Sequence, residues 1–132
     1  LKIMDITQWL KEVVLPRIKV IRPKNRILLH PTCSCQIMGL TPVLLDIARK
    51  CAREVILPDN WGCCGASGDR GFIFPELSDS ATRDERDEIG HESFDGCYSL
   101  ARTCEIAMQD HIEQPYESIV YLVDETIQDQ GT

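Results

Sequence analysis

Apolar residues recur along this chain with two periods, and the alternation between them predicts its elements. Ile6, Trp9, Leu10, Val13 and Val14 fall at helical spacing behind a capping residue, Asp5, and Pro16 closes that helix. The run Ile27, Leu28, Leu29 is short, continuous and ended by Pro31, the profile of a strand buried on both faces. A turn carrying Cys33 follows. Thr41 caps a second helix with Pro42 in its first turn, and Leu40, Val43, Leu44, Ile47, Ala48 and Cys51 make one apolar face. Residues 55–57 read as a second buried strand, stopped by Pro58. Beyond it come a glycine-rich loop, a polar helix over 75–88, a weaker strand over 94–98 and a helix near RTCEIAM (102–108). The last helix, over 118–127, has Ile119, Val123 and Ile127 on one side.

Strands alternating with helices imply right-handed crossovers and a parallel sheet. The expected class is α/β: a small three-layer, Rossmann-like domain with a short parallel sheet flanked by helices, occupying residues 1–132 as one unit. A length of 132 residues and a hydrophobic content of 43 % suit one core of this size.

Composition narrows the function. A formal charge of −7 without a cluster of Lys and Arg argues against a nucleic-acid partner, which demands neutralisation of phosphates. The first residues lack a secretory leader, and no apolar run reaches the roughly 18 residues of a transmembrane segment. We therefore expect a cytoplasmic protein, at most peripheral at the inner membrane face. In a reducing compartment the seven cysteines, an odd number, favour metal or redox chemistry over a disulfide framework. The chain starts at Leu1 with helical sequence close behind, which reads as a piece of a longer polypeptide.

The cysteines fall where a parallel sheet would gather them. Turns leaving the carboxyl ends of parallel strands converge on one edge, where ligands bind. Cys33 follows the first strand, Cys63 and Cys64 follow the second within NWGCCGASGDRG (60–71), and Cys104 follows the third. Each turn feeds a helix start, whose free N–H groups and dipole should lower thiol pKa values. Gly62, Gly65, Gly68 and Gly71 permit tight turns that bring N–H groups close to a bulky cofactor. Neighbouring thiolates reach one tetrahedral ion only through a contorted backbone, so Cys63 and Cys64 suit a multi-iron cluster better than zinc. The paired CxxC spacing of zinc sites and the CxxCxxC spacing of ferredoxins are both absent. A phosphate loop is disfavoured, since neither the GK[ST] ending nor GxGxxG is present.

With these residues placed, the chain resembles the cysteine-rich CCG domain of heterodisulfide reductase subunits and of iron-sulfur parts of glycolate and lactate oxidoreductases. More narrowly, it resembles the C-terminal domain of bacterial flavin- and iron-sulfur-containing D-lactate dehydrogenases of the FAD-linked oxidase type. The resemblance rests on HPTCS (30–34), GCCGASGDRGF (62–72), PELSDSATRDE (75–85), RTCE (102–105) and PYESIVYL (115–122). It implies an iron-sulfur cluster held by Cys33, Cys63, Cys64 and Cys104, with zinc able to enter if iron is lacking. It also implies FAD on a flavin domain elsewhere in the parent chain, a ferredoxin-type domain beside it, and an external electron acceptor. The isolated segment should not oxidise a 2-hydroxy acid. The chain departs from the family pattern at Ala101, where a CCG domain carries the first cysteine of a CxxC pair, leaving Cys97 as the candidate fifth ligand.

Several residues carry plainer readings. Cys51 sits on an apolar helix face and reads as core, and Cys35 and Cys97 read first as small fillers. His30 ends a buried strand, where a satisfied structural histidine competes with a ligand or proton donor. Asp69 and Arg70 either support the loop and its charge or form a simple salt bridge, and Arg102 offers a positive charge beside a thiolate. The run RDERDE (83–88) reads as a solvated helix face, and Met108 as core. Two functions besides electron transfer stay open: a zinc-stabilised docking module, and a thiol-disulfide redox domain using Cys63 or Cys64.

Overall fold

A computed structural model describes residues 1–127. Four parallel strands, β1 (Lys24–Leu29), β2 (Ala52–Ile56), β3 (Gly96–Ser99) and β4 (Tyr116–Ser118), stand in the order β2-β1-β3-β4. Register is fixed by Ile27 opposite Val55, Leu28 opposite Cys97, and Cys97 opposite Tyr116. The helices are α1 (Ile6–Trp9), α2 (Cys33–Ile37), α3 (Thr41–Cys51), α4 (Arg70–Ile73), α5 (Pro75–Ile89), α6 (Arg102–Ile112) and α7 (Ile119–Ile127). The expected α/β class with a short, all-parallel, helix-flanked sheet is what forms.

Alternation along the strands sorts the core into two layers. Ile27 and Leu29 point to one side, where Leu10, Leu44, Ile47, Cys51, Ile119 and Leu122 fill the space beneath α3 and α7. Leu28 points to the other, among Ile89, Cys97, Ala107, Met108 and Tyr116 beneath α5 and α6. The continuous Ile-Leu-Leu run is thus read correctly as a strand with no solvent face. Cys51, Cys35 and Met108 take the core positions anticipated for them.

Several elements differ from expectation. Thr41 is the first residue of α3 and Leu40 its N-cap, with no side-chain cap. β2 is an edge strand over Ala52–Ile56 with Arg53 and Glu54 exposed rather than a buried strand over 55–57, and α4 forms where a loop was read. The first helix holds α-geometry only over Ile6–Trp9, then widens into a π-helical turn at Leu10–Val14 and tightens to a 3-10 turn at Leu15–Arg17. Asp5 does cap it, accepting from Thr7 N–H at 2.8 Å. Cys33 begins a short helix rather than a turn, capped by Thr32 Oγ1. Residues 116–118 form β4, where the sequence reading had no strand. Its three residues follow a proline and alternate too briefly to register as a period, and pairing with β3 is what makes them a strand.

After β2 the chain crosses back over β1 to build β3 on its far side, so the topology reverses direction at β1. The crevice beyond the carboxyl ends of β1 and β3 is the place where such sheets bind ligands. No helix among the described residues is long and apolar enough to cross a membrane.

Candidate functional site

That crevice is lined by thiols. A cleft of about 380 Å³ is walled by Thr32, Cys33, Cys63, Cys64, Ala66 and Cys104 together with Ser34, Ser67, Gly68, Ala101 and Thr103. The four cysteines expected to converge from three distant turns therefore do so. Cys33 and Cys63 are exposed at the mouth, Cys64 is buried and Cys104 half-buried at the floor.

The local backbone explains how neighbouring cysteines serve one cleft. Gly65 adopts φ +74°, and a Cβ there would stand 2.6 Å from the Leu77 carbonyl oxygen and 2.7 Å from Ser78 Cα. Glycine is required both for the left-handed turn and for the loop's seat against α5. Gly71 is needed for close approach alone: a Cβ there would meet Ser78 Oγ at 2.6 Å and Ala66 Cα at 2.8 Å. This turn sends Cys64 inward to lie 3.1 Å from Cys104, Sγ to Sγ. Cys63 stays outward, where its sulfur accepts from Gly65 N–H at 3.4 Å.

The sulfurs differ in charge. Cys64 is held down to about 6, chiefly by the hydrogen bond it shares with Cys104, then by the Ala66 N–H and the field of His30, against the cost of burial. Cys104, the proton-bearing member of that pair, is pushed far up by the bond to Cys64, by burial and by the charges of Cys64, Cys33 and Cys63. Cys33 is raised to about 11 by burial and by Cys63, which corrects the expectation that a helix start would lower every one of these thiols. Within the inner pair the charge therefore favours Cys64, with Cys104 keeping its proton.

The donor set suits a thiophilic metal or cluster: four sulfurs, backbone N–H groups near two of them and glycines that keep the wall thin. Among the described residues no three His, Cys, Asp or Glu side chains already stand in ligating geometry. The thiols pair with one another instead, and a shared centre would replace those contacts with metal bonds.

Other residues fall differently. Cys97, the candidate fifth ligand, lies in β3 among the apolar side chains, does not line the cleft, and is pushed up to about 12 by burial. Cys97 therefore stands behind the cleft wall, in the core cluster that also holds Cys64, rather than among the sulfurs that line it. Asp69 and Arg70 are exposed and neither lines the cleft, and neither makes a side-chain hydrogen bond or ion pair among the described residues. Arg102 turns into a neighbouring depression with Glu105 and Glu117 rather than toward the thiolate.

His30 is buried, yet among the described residues neither ring nitrogen has a hydrogen-bond partner, so it is not the satisfied structural histidine that was expected. Its Nδ1 faces Glu85 Oε2 at 3.5 Å. Glu85 belongs to the RDERDE run and is buried there, which corrects the reading of that run as wholly solvated. The signal was present in the helical period Ser78, Thr82, Glu85, Ile89, which is the buried face of α5.

No family model matches this chain, and no curated protein matches it either.

Proposed function

We propose that this protein is an iron-sulfur electron-transfer domain of a flavin-linked D-lactate or other 2-hydroxy-acid dehydrogenase, with Cys33, Cys63, Cys64 and Cys104 as ligands. The single observation that carries the reading is the convergence of these four thiols, from three separate loops, on one cleft at the switch point of the sheet. The resemblance in HPTCS, GCCGASGDRGF and RTCE supports the substrate class and the partners: a flavin domain bearing FAD, a ferredoxin-type domain and a further acceptor, in the cytoplasm or at the inner membrane face.

When bound, the cluster would supply a one-electron carrier. The chain's own residues would hold it by thiolates, donate N–H groups to sulfur from the 62–68 loop, and limit water through the buried floor at Cys64. Anaerobic reconstitution followed by iron and sulfide analysis tests this. Wild type should retain iron and inorganic sulfide, and a Cys63→Ser, Cys64→Ser double variant should retain neither; equal iron in both would refute the proposal. Zinc at one per chain, with no absorption in the visible, would select the docking-module reading instead.

The contact between Cys64 and Cys104 favours one second reading, a thiol-disulfide catalyst. The Cys64 thiolate would attack a substrate disulfide and expel one thiolate; Cys104 would then attack Cys64, closing the internal disulfide and releasing the second thiol. Disulfide reduction by metal-free protein, abolished by Cys64→Ser, would establish it.

A further inference from the structure

A second opening lies beside the thiol cleft, and electron carriage alone does not use it. Leu100, Arg102, Glu105, Glu117, Ser118 and Tyr121 line a depression of about 510 Å³. Leu100 follows the last residue of β3 and Ser118 ends β4, so the depression opens at the carboxyl edge of the sheet, as the cleft does. The start of α6 divides the two: Ala101, Thr103 and Cys104 line the cleft, whereas Arg102 and Glu105 line the depression.

Glu105 is the unusual member. It is 5 % exposed, and among the described residues its carboxylate has neither a hydrogen bond nor an ion pair. A place in the first turn of α6 offsets only part of the cost of burying an unpaired carboxylate. Neither oxygen is wholly occluded, so the carboxylate opens into the depression it lines. Glu117 adds a second carboxylate and Arg102 one guanidinium, and neither is ion-paired among the described residues. The lining therefore lacks one positive charge. An anion would meet two carboxylates for one guanidinium, and no three side chains among the described residues stand where they could hold a metal ion. An organic cation suits the lining better: its charge meets the carboxylates, Tyr121, 56 % exposed, supplies an aromatic ring, and Leu100 supplies contact for an aliphatic stem.

We propose that this depression is the socket for one basic side chain, arginine or lysine, of the protein that docks over the thiol cleft. This deepens the electron-transfer reading by giving the partner's chemistry, and rests on that reading for the partner's presence. A protein that brings its redox centre to the thiols covers both openings, because only the first turn of α6 separates them. The cation entering the socket sets the partner's register, and the formal charge of −7 draws a basic surface toward this chain.

The first test titrates metal-free protein with a blocked Gly-Arg-Gly peptide and with its lysine and citrulline counterparts, read by amide NMR. Signals of Leu100, Arg102, Glu105, Glu117 and Tyr121 should move with the two cationic peptides and stay still with citrulline. Affinity should fall about tenfold in Glu105→Gln and less in Glu117→Gln. Glu105→Gln keeps the side chain's size, so its denaturant midpoint should be no lower than wild type; if it does not fold, the exposed Glu117→Gln decides. No movement with cationic peptides, equal movement with citrulline, or wild-type affinity in the variants would overturn the socket. The second test uses reconstituted, prereduced protein with cytochrome c, a basic protein acceptor, and with benzoquinone. Each variant should slow cytochrome c reduction several-fold more than quinone reduction, whereas equal slowing would overturn the docking role and leave a site for free cations. Peptide binding needs no iron, and iron content alone decides the electron-transfer reading, so the two can fail separately.

Discussion

The two faces of the sheet are packed by different rules. Under α3 and α7 the layer is mostly aliphatic, with Ile27, Leu29, Leu44, Ile47, Ile119 and Leu122 fully buried. It also holds Cys35, Cys51 and Tyr98, but its polar groups are paired: Tyr98 donates to Glu125 and Thr126 to the Leu122 and Val123 carbonyls. Under α5 and α6 the layer carries Cys64, Cys97 and Tyr116 together with His30, Glu85 and Ser78. Apart from Thr7 Oγ1, every buried side-chain nitrogen or oxygen without a partner among the described residues lies on this second side. A chain selected only for stability would not retain so many unsatisfied groups on one face. The contrast teaches that one layer is packed with its polar groups paired while the other leaves them unpaired behind the cysteine-lined cleft.

The largest test of that division is Leu44→Ala. It removes a fully buried side chain from the aliphatic layer and should cost about 2–5 kcal/mol, read as a lower denaturant midpoint. Folded protein of this variant should bind as much metal as wild type. A specific loss of metal would break the separation between the faces.

Gly65→Ala should cost less, roughly 1–3 kcal/mol for left-handed backbone and contact with α5, yet disturb the cleft more. Its expected signature is reduced iron retention at denaturant concentrations where the wild type is still folded.

In metal-free protein the thiolate absorbance near 240 nm should rise by one thiolate as pH passes about 6 and be lost in Cys64→Ser. The sign follows from a folded pKa lying below the ordinary thiol value of 9.0. Cys64 ionisation thus favours the native state above pH 9, and that contribution is lost as pH falls through about 6, while the raised Cys104 opposes it. Cys97, raised to about 12, should stay silent to alkylating agents until the protein unfolds.

The smallest effect belongs to Tyr116→Phe, which deletes a buried hydroxyl without a hydrogen-bond partner among the described residues. Stability should change by less than about 1 kcal/mol, in either direction. A loss of several kcal/mol would mean that the hydroxyl is hydrogen-bonded within the polar layer, and the two faces would then be more alike than described.

Much of this was readable along the chain because local chemistry spoke plainly. Ile27, Leu28 and Leu29 can be satisfied only by a strand covered on both sides, and Pro42 and the Leu44, Ile47, Ala48, Cys51 face define α3. The places of Cys33, Cys63, Cys64 and Cys104 followed from strand ends. Strand β4 escaped notice because Tyr116–Ser118 becomes a strand only through its hydrogen bonds to β3. Cys97 looked available as a ligand because sequence distance to Cys104 says nothing about which end of a strand a side chain occupies.

By itself the sequence determined the class of fold, the layer that stabilises it and the four sulfurs that meet, since these depend on periodicity and on where parallel strands end. Only the tertiary structure decided that Cys64 is the sulfur whose pKa is lowered, that Cys97 does not line the cleft and that Glu85 lies buried against His30. Charge, reach and burial are set by the neighbours a side chain acquires across space. Residues 30 and 85 become neighbours only when α5 closes over the sheet.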